Sequence, residues 1–298
     1  MLALTCASFH CGSSDAGAPS PAGGDADAGV PDARLQGQPI DTDSGPRPLP
    51  AKSSGCGSPR AASPVDGETQ TLQVAGASRS FVLYVPPKYD PQRGYPVVMA
   101  VHGIGATGAD MASFIQMQKY SAGNAIVAFP SAVDGSWDVD GEKDLIFFDV
   151  ILANLTSTLC VNEQRVFGLG FSYGAYMVNH LGCKRPLTVR AIAAADGGFP
   201  AATGCGKTAA LVYHRTEDDD EVLANGQKAR DLWLGFNGCA STSKSFTSGG
   251  FDGLGCVQYD GCSATSPVVW CEDKASSPYK HDLRDVYRVP IWNWFNAF

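Results

Sequence analysis

Short apolar runs alternate with amphipathic stretches along most of this chain, and no other feature constrains its fold as strongly. The run Tyr95–Val101 (YPVVMAV) is apolar throughout and ends at His102-Gly103, which is typical of a strand buried on both faces. Residues 145–159 instead repeat their apolar side chains at helical spacing. Because strands that alternate with helices form mostly parallel sheets with helices on both faces, the sequence predicts an α/β fold.

The same patterns predict the remaining elements. The expected strands are 72–74, 80–85, 125–129, 165–169, 189–195, 209–214 and 267–270, and the expected helices are 109–120, 174–181, 222–235 and 286–298. No internal repeat is visible, so we expect these elements to form one domain.

The charge balance and the hydropathy pattern exclude two classes of protein. The 298 residues include 22 Lys and Arg against 30 Asp and Glu, which is a formal net charge of −8. A nucleic-acid-binding protein needs a basic face to neutralise phosphates, so we expect no nucleic-acid partner. Since no run of eighteen apolar residues occurs, we also expect no integral membrane segment.

The N-terminal part of the chain differs in composition from the rest. Residues 12–54 are rich in Gly, Ala, Pro, Ser and Asp and contain no aromatic residue. Such a stretch buries too little apolar surface to offset its ordering entropy, which predicts a disordered linker. We expect residues 1–11 to be a truncated export signal or a lipoprotein-like segment anchored at Cys6 or Cys11, and residues 55–298 to be the folded domain.

The sharpest local signal is the pentapeptide GFSYG at residues 170–174. It follows the predicted strand 165–169 and opens a predicted helix, which is the context of a nucleophile elbow. The turn is so tight that larger side chains at the two glycine positions would strike the neighbouring strand and helix. Ser172 is therefore the predicted nucleophile.

A serine nucleophile needs a base to accept its proton and an acid to orient that base. In folds with this elbow the chain order is Ser, then Asp or Glu, then His, and of five histidines only His281 follows every plausible acid. The acid is expected after the strand 209–214, where the acidic run 217–221 leaves the choice open. Asp218 and Asp219 both qualify, and Asp196, after the preceding strand, is an outside alternative.

Attack of a serine on a carbonyl carbon also needs two backbone donors for the oxygen of the tetrahedral intermediate. One is expected to be the amide of Tyr173, directly after the nucleophile. The other should come from the loop after the first buried strand, where we assign the amide of Ile104.

Motifs outside the elbow carry a family resemblance. They are GCG at 55–57, RSFVLYVP at 79–86, YD at 89–90, HG at 102–103, HRTED at 214–218, NG at 225–226, NGC at 237–239, YDGC at 259–262, PVVWC at 267–271, His281 and IWNWF at 291–295. Together with the elbow, these motifs resemble secreted carbohydrate esterases, namely the feruloyl esterases and the polyhydroxybutyrate-depolymerase-like proteins grouped with them. The resemblance covers residues 55–298.

The resemblance implies an α/β-hydrolase fold and the catalytic triad Ser172, Asp218 and His281. Asp218 is preferred because HRTED resembles the His-Gly-Thr-x-Asp motif of the family. Two positions depart from the family pattern. Arg215 replaces a glycine in that motif, and Lys280 replaces the glycine usual before the histidine.

The chain has ten cysteines and no C-x-x-C pair, which favours disulfides over zinc and predicts an exported, disulfide-stabilised protein. Cys160 precedes the elbow strand, and Cys183 ends the helix that returns beside it. Since strand and helix run antiparallel and are expected to be similar in length, we expect their far ends to be joined by a Cys160–Cys183 disulfide. Three further bridges are expected, with connectivity left open, among Cys56, Cys205, Cys239, Cys256, Cys262 and Cys271.

Two ring side chains are predicted to bind substrate. Trp137 lies in a loop after the strand 125–129, and such loops border the site at the carboxyl ends of parallel strands. It would stack on a sugar or phenolic ring, or alternatively pack in the core. His102, in the loop after Tyr95–Val101, is the second candidate.

Together these features predict a secreted serine esterase, either free or lipid-anchored at the cell surface, that acts on feruloyl (hydroxycinnamoyl) esters of plant cell-wall xylan. A polyhydroxybutyrate depolymerase, an acetyl-xylan esterase and a catalytically inactive binding protein are the alternatives. The chemistry requires no metal and no cofactor. We expect a monomer whose partner is an ester substrate, either a polysaccharide-linked phenolic ester or a polyester.

Overall fold

The structure is a computed structural model, and it describes residues 49–60, 67–200 and 203–298. The predicted signal or lipoprotein-like segment, with Cys6 and Cys11, lies outside the described residues. So does the predicted linker up to residue 48. None of the helices in the described ranges is long and apolar enough to cross a bilayer.

One sheet organises the described part of the chain, and its ten strands follow the order β1-β2-β4-β3-β5-β6-β7-β10-β9-β8. The strands from β4 to β10 in this order are parallel, whereas β1, β2, β9 and β8 are joined to them in antiparallel fashion at the two edges. The strands are β1 Glu68–Val74, β2 Ala77–Tyr84, β3 Tyr95–Val101, β4 Ile126–Pro130, β5 Val161–Phe171, β6 Ala191–Ala195, β7 Ala209–Arg215, β8 Ser243–Ser245, β9 Cys256–Tyr259 and β10 Val268–Asp273.

Helices cover both faces of this sheet, which confirms the predicted mostly parallel α/β architecture. The helices are α1 Gly108–Ile115, α2 Met117–Tyr120, α3 Lys143–Thr158, α4 Tyr173–Lys184, α5 Leu223–Asn237 and α6 Arg288–Asn296. One core lies between the sheet and α3, α4 and α5, and the other lies between the sheet and α1, α2 and α6.

The single helix predicted over 109–120 is wrong, because the chain breaks it at Gln116. This residue adopts a left-handed conformation with φ of 49° and ends α1. Ile115 and Met117 are both completely buried. In a continuous helix two residues that are two positions apart point in very different directions, so both could not face the same core. The break resolves this conflict.

Two strands at one side of the sheet, β9 and the edge strand β8, are not predicted from the sequence. Ser243–Ser245 is fully exposed and polar, so it carries no hydrophobic pattern from which a strand could be recognised. Pairing with β9 makes it a strand. The disulfides Cys239–Cys262 and Cys256–Cys271 hold this edge, the second directly between β9 and β10.

The expected Cys160–Cys183 disulfide is wrong. Cys160 pairs with Cys56, and Cys183 pairs with Cys205. Strand β5 has 11 residues and helix α4 has 12. At about 3.3 Å per strand residue and about 1.5 Å per helix residue, the strand is roughly twice as long as the helix. Helix α4 therefore ends beside the middle of β5, and Cys183 near its end cannot reach Cys160.

The folded domain begins before the predicted boundary at residue 55. Ser53 is buried, its hydroxyl donates to the carbonyl of Leu159, and it accepts a hydrogen bond from the amide of Val161. The amide of Glu163 donates to the carbonyl of Pro50. Residues 50–54 are thus part of the domain, because the start of β5 satisfies their backbone groups.

Candidate active site

The predicted elbow is a sharp turn between β5 and α4. Ser172 has φ of 56° and ψ of −124°, a conformation that L-residues rarely adopt, and its amide donates to the carbonyl of Ala195 at 2.9 Å. A Cβ on Gly170 would overlap the carbonyl of Gly174, and a Cβ on Gly174 would overlap the carbonyl of Val101. Both glycines are therefore needed for the turn that exposes Ser172 above the sheet.

The loop after β3 lies against this turn. A Cβ on Gly103 would stand 3.1 Å from the Cβ and 3.5 Å from the Oγ of Ser172, so the backbone here lies close beside the serine side chain. His102 anchors the loop. Its Nε2 accepts from the amide of Ala132 at 3.0 Å, and Nδ1 therefore carries the proton and donates to the carbonyl of Gly103 at 2.6 Å. Burial lowers the pKa of His102.

Asp218 follows β7 in a tight loop that surrounds its carboxyl group. Oδ1 accepts from the amides of Asp220 at 3.0 Å and Glu221 at 2.9 Å, and Oδ2 lies 2.7 Å from Nδ1 of His281. The side chain has no exposed surface. Both oxygens are thus occupied by donors, which fixes the carboxyl group against the imidazole.

His281 lies in the loop between β10 and α6. Its ring packs against Phe171, with the ring centroids 4.7 Å apart. Since Nδ1 faces Asp218, the second ring nitrogen, Nε2, is left for the cavity that both Ser172 and His281 line. The structure thus brings together the three residues predicted as a triad, because they follow three parallel strands that end at the same edge of the sheet.

The cavity beside Ser172 has a volume of about 550 Å³. Its apolar wall is formed by Met111 and Phe114 of α1 together with Ile104 and Phe171, and the rings of Phe114 and Phe171 lie 4.8 Å apart. Its acidic rim is formed by Asp110, Asp220 and Glu221. No Lys or Arg belongs to this lining within the described ranges. The cavity therefore offers an apolar surface beside the serine and a negative potential at its rim.

Ile104, predicted as a backbone donor, lies in this cavity with its side chain 67% exposed. The amides that follow it are engaged, since Gly105 donates to Gly135 and Ala106 donates to Gly103. Tyr173 is the first residue of α4, where backbone amides have no partner within the helix. That the amides of Ile104 and Tyr173 donate to the oxyanion stays a prediction.

Trp137 does not line the cavity, so the structure favours the packing alternative over substrate stacking. It is only 4% exposed, its Nε1 donates to the carbonyl of His102 at 2.8 Å, and its ring lies 4.6 Å from the ring of His102. Through this hydrogen bond and this ring contact, Trp137 supports the loop that contains His102. His102 does line the cavity, but its two ring nitrogens are engaged with backbone groups.

The other acids of the run 217–221 are placed differently from Asp218. Asp219 is exposed and pairs with Lys280 at 3.0 Å, and that hydrogen bond lowers the pKa of the Asp219 carboxyl. Glu221 accepts from the hydroxyl of Tyr176 and from the side chain of Asn225. Neither carboxyl group contacts His281 through a hydrogen bond in the described structure.

Arg215, which departs from the family pattern, is completely buried. Its guanidinium donates to the carbonyls of Lys280 at 2.9 Å and Ala275 at 3.0 Å, and Nη1 lies 3.4 Å from Asp273. These contacts fasten the loop of His281 to the end of β7. The sequence identified the substitution but not this role, because the contacts join residues about sixty positions apart.

Sequence reasoning also missed the apolar wall of the cavity. Met111 and Phe114 lie on a helix whose apolar positions looked like ordinary core residues. The only signal for Phe171 was its place next to the nucleophile.

Comparisons with known proteins place this chain among esterases. No family model matches it. Feruloyl esterase D of Neurospora crassa is 29% identical over 237 residues, covering 74% of this chain and 80% of that protein. The probable feruloyl esterase C of Aspergillus niger is 28% identical over 216 residues, covering 67% of this chain and 78% of that protein.

Solved structures share the fold at low sequence identity. An acetyl xylan esterase from Aspergillus awamori has a TM-score of 0.59 and 14% identity, covering 77% of this chain and all of that one. A feruloyl esterase module from Clostridium thermocellum, complexed with sinapinate, has a TM-score of 0.57 and 13% identity, covering 84% of this chain and 93% of that one. These likenesses and the sheet order establish an α/β-hydrolase fold, here stabilised by four disulfides.

Proposed function

We propose that this carboxylic ester hydrolase, a relative of the feruloyl esterases, cleaves its substrate with Ser172 as nucleophile, His281 as general base and Asp218 as the orienting acid. The observation that carries the proposal is the 2.7 Å contact between His281 Nδ1 and Asp218 Oδ2 beside the cavity that Ser172 lines. The strained conformation of Ser172 supports it, because such strain is found where a residue must be presented to a substrate.

In the acylation step, Nε2 of His281 accepts the hydroxyl proton of Ser172 while Oγ forms a bond to the ester carbonyl carbon. The carbonyl oxygen becomes an oxyanion, which the amides of Ile104 and Tyr173 would stabilise. The intermediate then collapses. The bond to the alcohol oxygen breaks, the alcohol leaves with the proton from His281, and Ser172 keeps the acyl group.

In the deacylation step, water takes the place of the alcohol. His281 accepts a proton from the water, whose oxygen bonds to the acyl carbon, and the carboxylic acid is released as Ser172 regains its proton. Asp218 holds the imidazole in one tautomer throughout, with Nδ1 protonated. The two amide donors on its other oxygen keep the carboxylate from turning away.

We assign the substrate to hydroxycinnamoyl esters, such as those on plant cell-wall xylan. The support is the kinship with feruloyl esterases and the apolar wall of Met111, Phe114 and Phe171, which suits an aromatic acyl group. The acidic rim favours an uncharged ester over an anionic one, and it would repel the carboxylate product.

We also assign the protein to an oxidising compartment outside the cytoplasm. Four disulfides in one domain support this, because such bonds persist where thiols are not kept reduced.

Changing Ser172 to Ala tests the nucleophile. The variant should lose activity on methyl ferulate by about 10³-fold or more, and a fluorophosphonate probe should label the wild type only. Ser113→Ala is the matched control, since that hydroxyl is exposed on α1 and bonds only to the carbonyl of Ala109. A tenth of wild-type activity in the Ser172 variant would exclude this serine as the nucleophile.

Substrate choice is tested by rates on methyl ferulate, methyl acetate and a polyhydroxybutyrate suspension under the same conditions. We expect the highest kcat/KM with methyl ferulate. If the suspension is solubilised and methyl ferulate is not hydrolysed, the chain is a polyester depolymerase with the same catalytic residues.

A further inference from the structure

A second aspartate lies behind the proposed triad. Asp196 directly follows β6, has no exposed surface, and adopts a left-handed conformation with φ of 46° although it is not a glycine. Its Oδ1 accepts from the amide of Arg215 at 2.8 Å. The amide of Asp282 approaches the same carboxyl group. Asp196 thus meets the chain at the start of the Asp218 loop and directly after His281.

This carboxyl group is also close to the triad side chains. One of its oxygens lies within 4.8 Å of both a carboxyl oxygen of Asp218 and a ring nitrogen of His281. Its Oδ2 is buried, and no group of the described residues forms a hydrogen bond with it. A buried oxygen without a donor is costly for a carboxylate, whereas a protonated oxygen loses its charge and becomes a donor itself.

We propose that Asp196 is a positioning residue for His281: it joins the loop of Asp218 to the loop of His281 and does so as the uncharged acid. The proposal rests on the triad proposed above. A charged Asp196 would place a second carboxylate beside that of Asp218, and like charges at this distance oppose each other's ionisation.

The electrostatic surroundings agree with an uncharged acid. Burial, followed by the negative charge of Asp218, raises the pKa of Asp196 to about 8, although the amide of Arg215 opposes the rise. The ionisable groups that face it are Asp218 and His281 from the two loops, and Arg215 and Tyr213 from β7. These surroundings favour the protonated, uncharged form of Asp196 at neutral pH.

Two substitutions separate the parts of this proposal. Asp196→Ala removes the acceptor of the Arg215 amide, so kcat on methyl ferulate should fall at least tenfold with KM changed less than threefold. Asp196→Asn keeps an oxygen acceptor and has no charge, so it should restore most of the kcat that Asp196→Ala loses. Folded content is compared by circular dichroism, because a purely structural role would lower the folded fraction and not kcat per folded molecule.

The pH dependence of kcat/KM tests the protonation state. Its acidic limb reports the ionisation of the catalytic base in the free enzyme. A charged Asp196 would favour the protonated form of that base, so removing the charge in Asp196→Asn would move the limb to lower pH. Because we propose an uncharged acid, the limb of Asp196→Asn should stay within about 0.3 pH units of the wild type. If Asp196→Ala does not fold, comparing the pH profiles of Asp196→Asn and the wild type still tests whether Asp196 is uncharged.

Two results would overturn the proposal. One is wild-type kcat in Asp196→Ala, and the other is a shift of the acidic limb by a full pH unit in Asp196→Asn. Asp218→Asn serves as the reference for the triad itself. If Asp218→Asn is inactive and Asp196→Ala is not impaired, only the role of Asp196 is wrong. If Asp218→Asn is fully active, the triad assignment is wrong as well.

Discussion

At the scale of single residues, function depends on which of several chemically equal carboxyl groups faces the imidazole. Asp218, Asp219 and Asp220 are adjacent in the chain, yet only Asp218 has its oxygens divided between two backbone amides and His281. Asp219 faces solvent and Lys280 instead. Side-chain direction, not side-chain chemistry, separates the three.

Replacing Asp218 and replacing Asp219 with asparagine should therefore give unequal results. Asp218→Asn presents an amide to Nδ1 and favours the wrong imidazole tautomer, so kcat should fall by about 10⁴-fold, as for the equivalent change in serine proteases. Asp219→Asn is the matched control and should change kcat only a few-fold. Turnover of one soluble ester at neutral pH measures both. If Asp219→Asn shows the large loss of kcat instead, Asp219 is the acid that orients His281.

At the scale of elements, the site depends on loops that are fastened to each other rather than on strands alone. The loop between β10 and α6 carries His281 and contains little regular structure, and Arg215 holds it through two backbone carbonyls. Asp273 at the end of β10 completes the cluster. Burial opposes its ionisation, but hydrogen bonds from Arg284, Ala275 and Tyr213 keep the pKa of Asp273 below its usual value.

Changing Arg215 to Met should release this loop. The carbonyls of Lys280 and Ala275 lose their donors, so kcat should fall at least tenfold and the protein should lose about 2–4 kcal/mol of stability, the range for breaking a buried charged network. Arg60→Met is the control, because Arg60 forms a surface pair with Glu68. Kinetics and urea unfolding of both variants make the comparison. Equal kcat in the Arg215 variant and the wild type would show that the loop needs no such fastening.

At the scale of the whole molecule, the part of the chain that the structure describes contains four disulfides. The bridge Cys56–Cys160 closes the longest loop, with a sequence separation of 104, and the others span 15 to 23 residues. In the chain-entropy account a long loop restricts the unfolded chain most. This bridge also holds residues 53–56 against the start of β5.

The stability lost on removing one disulfide should therefore be larger for the longer loop. Replacing Cys56 and Cys160 together with Ala should cost about 4–5 kcal/mol, and replacing Cys183 and Cys205 about 3 kcal/mol. Urea unfolding without reductant measures the two double variants. A larger loss for the shorter loop would show that local packing outweighs loop entropy.

The stability of the molecule should also depend on pH through Asp196. Its pKa is about 8 in the folded protein against an ordinary value of 3.8, so between these values the folded protein holds a proton that the unfolded chain releases. This contribution to the free energy of unfolding is complete below pH 4 and is lost as the pH rises to 8. Unfolding of Asp196→Asn should show a flatter pH dependence over that range than the wild type. An unchanged slope would contradict the raised pKa.

The sequence by itself determined the alternation of strands and helices, the elbow at Ser172 and the late position of His281. Each of these is local: buried parallel strands are apolar throughout, a tight turn needs glycines, and chain order can be read directly. The triad assignment built on them, with Asp218 as the acid, still awaits the substitutions described above.

Only the tertiary structure decided the disulfide partners, the burial of Trp137, the break at Gln116 and the contacts of Arg215 and Asp196. These depend on how far each element reaches and which face it turns to its neighbours. Cys160 and Cys183 end antiparallel elements, but a strand rises about twice as far per residue as a helix, so their ends do not meet. Distances between elements are set by packing across the sheet, which no single stretch of sequence contains.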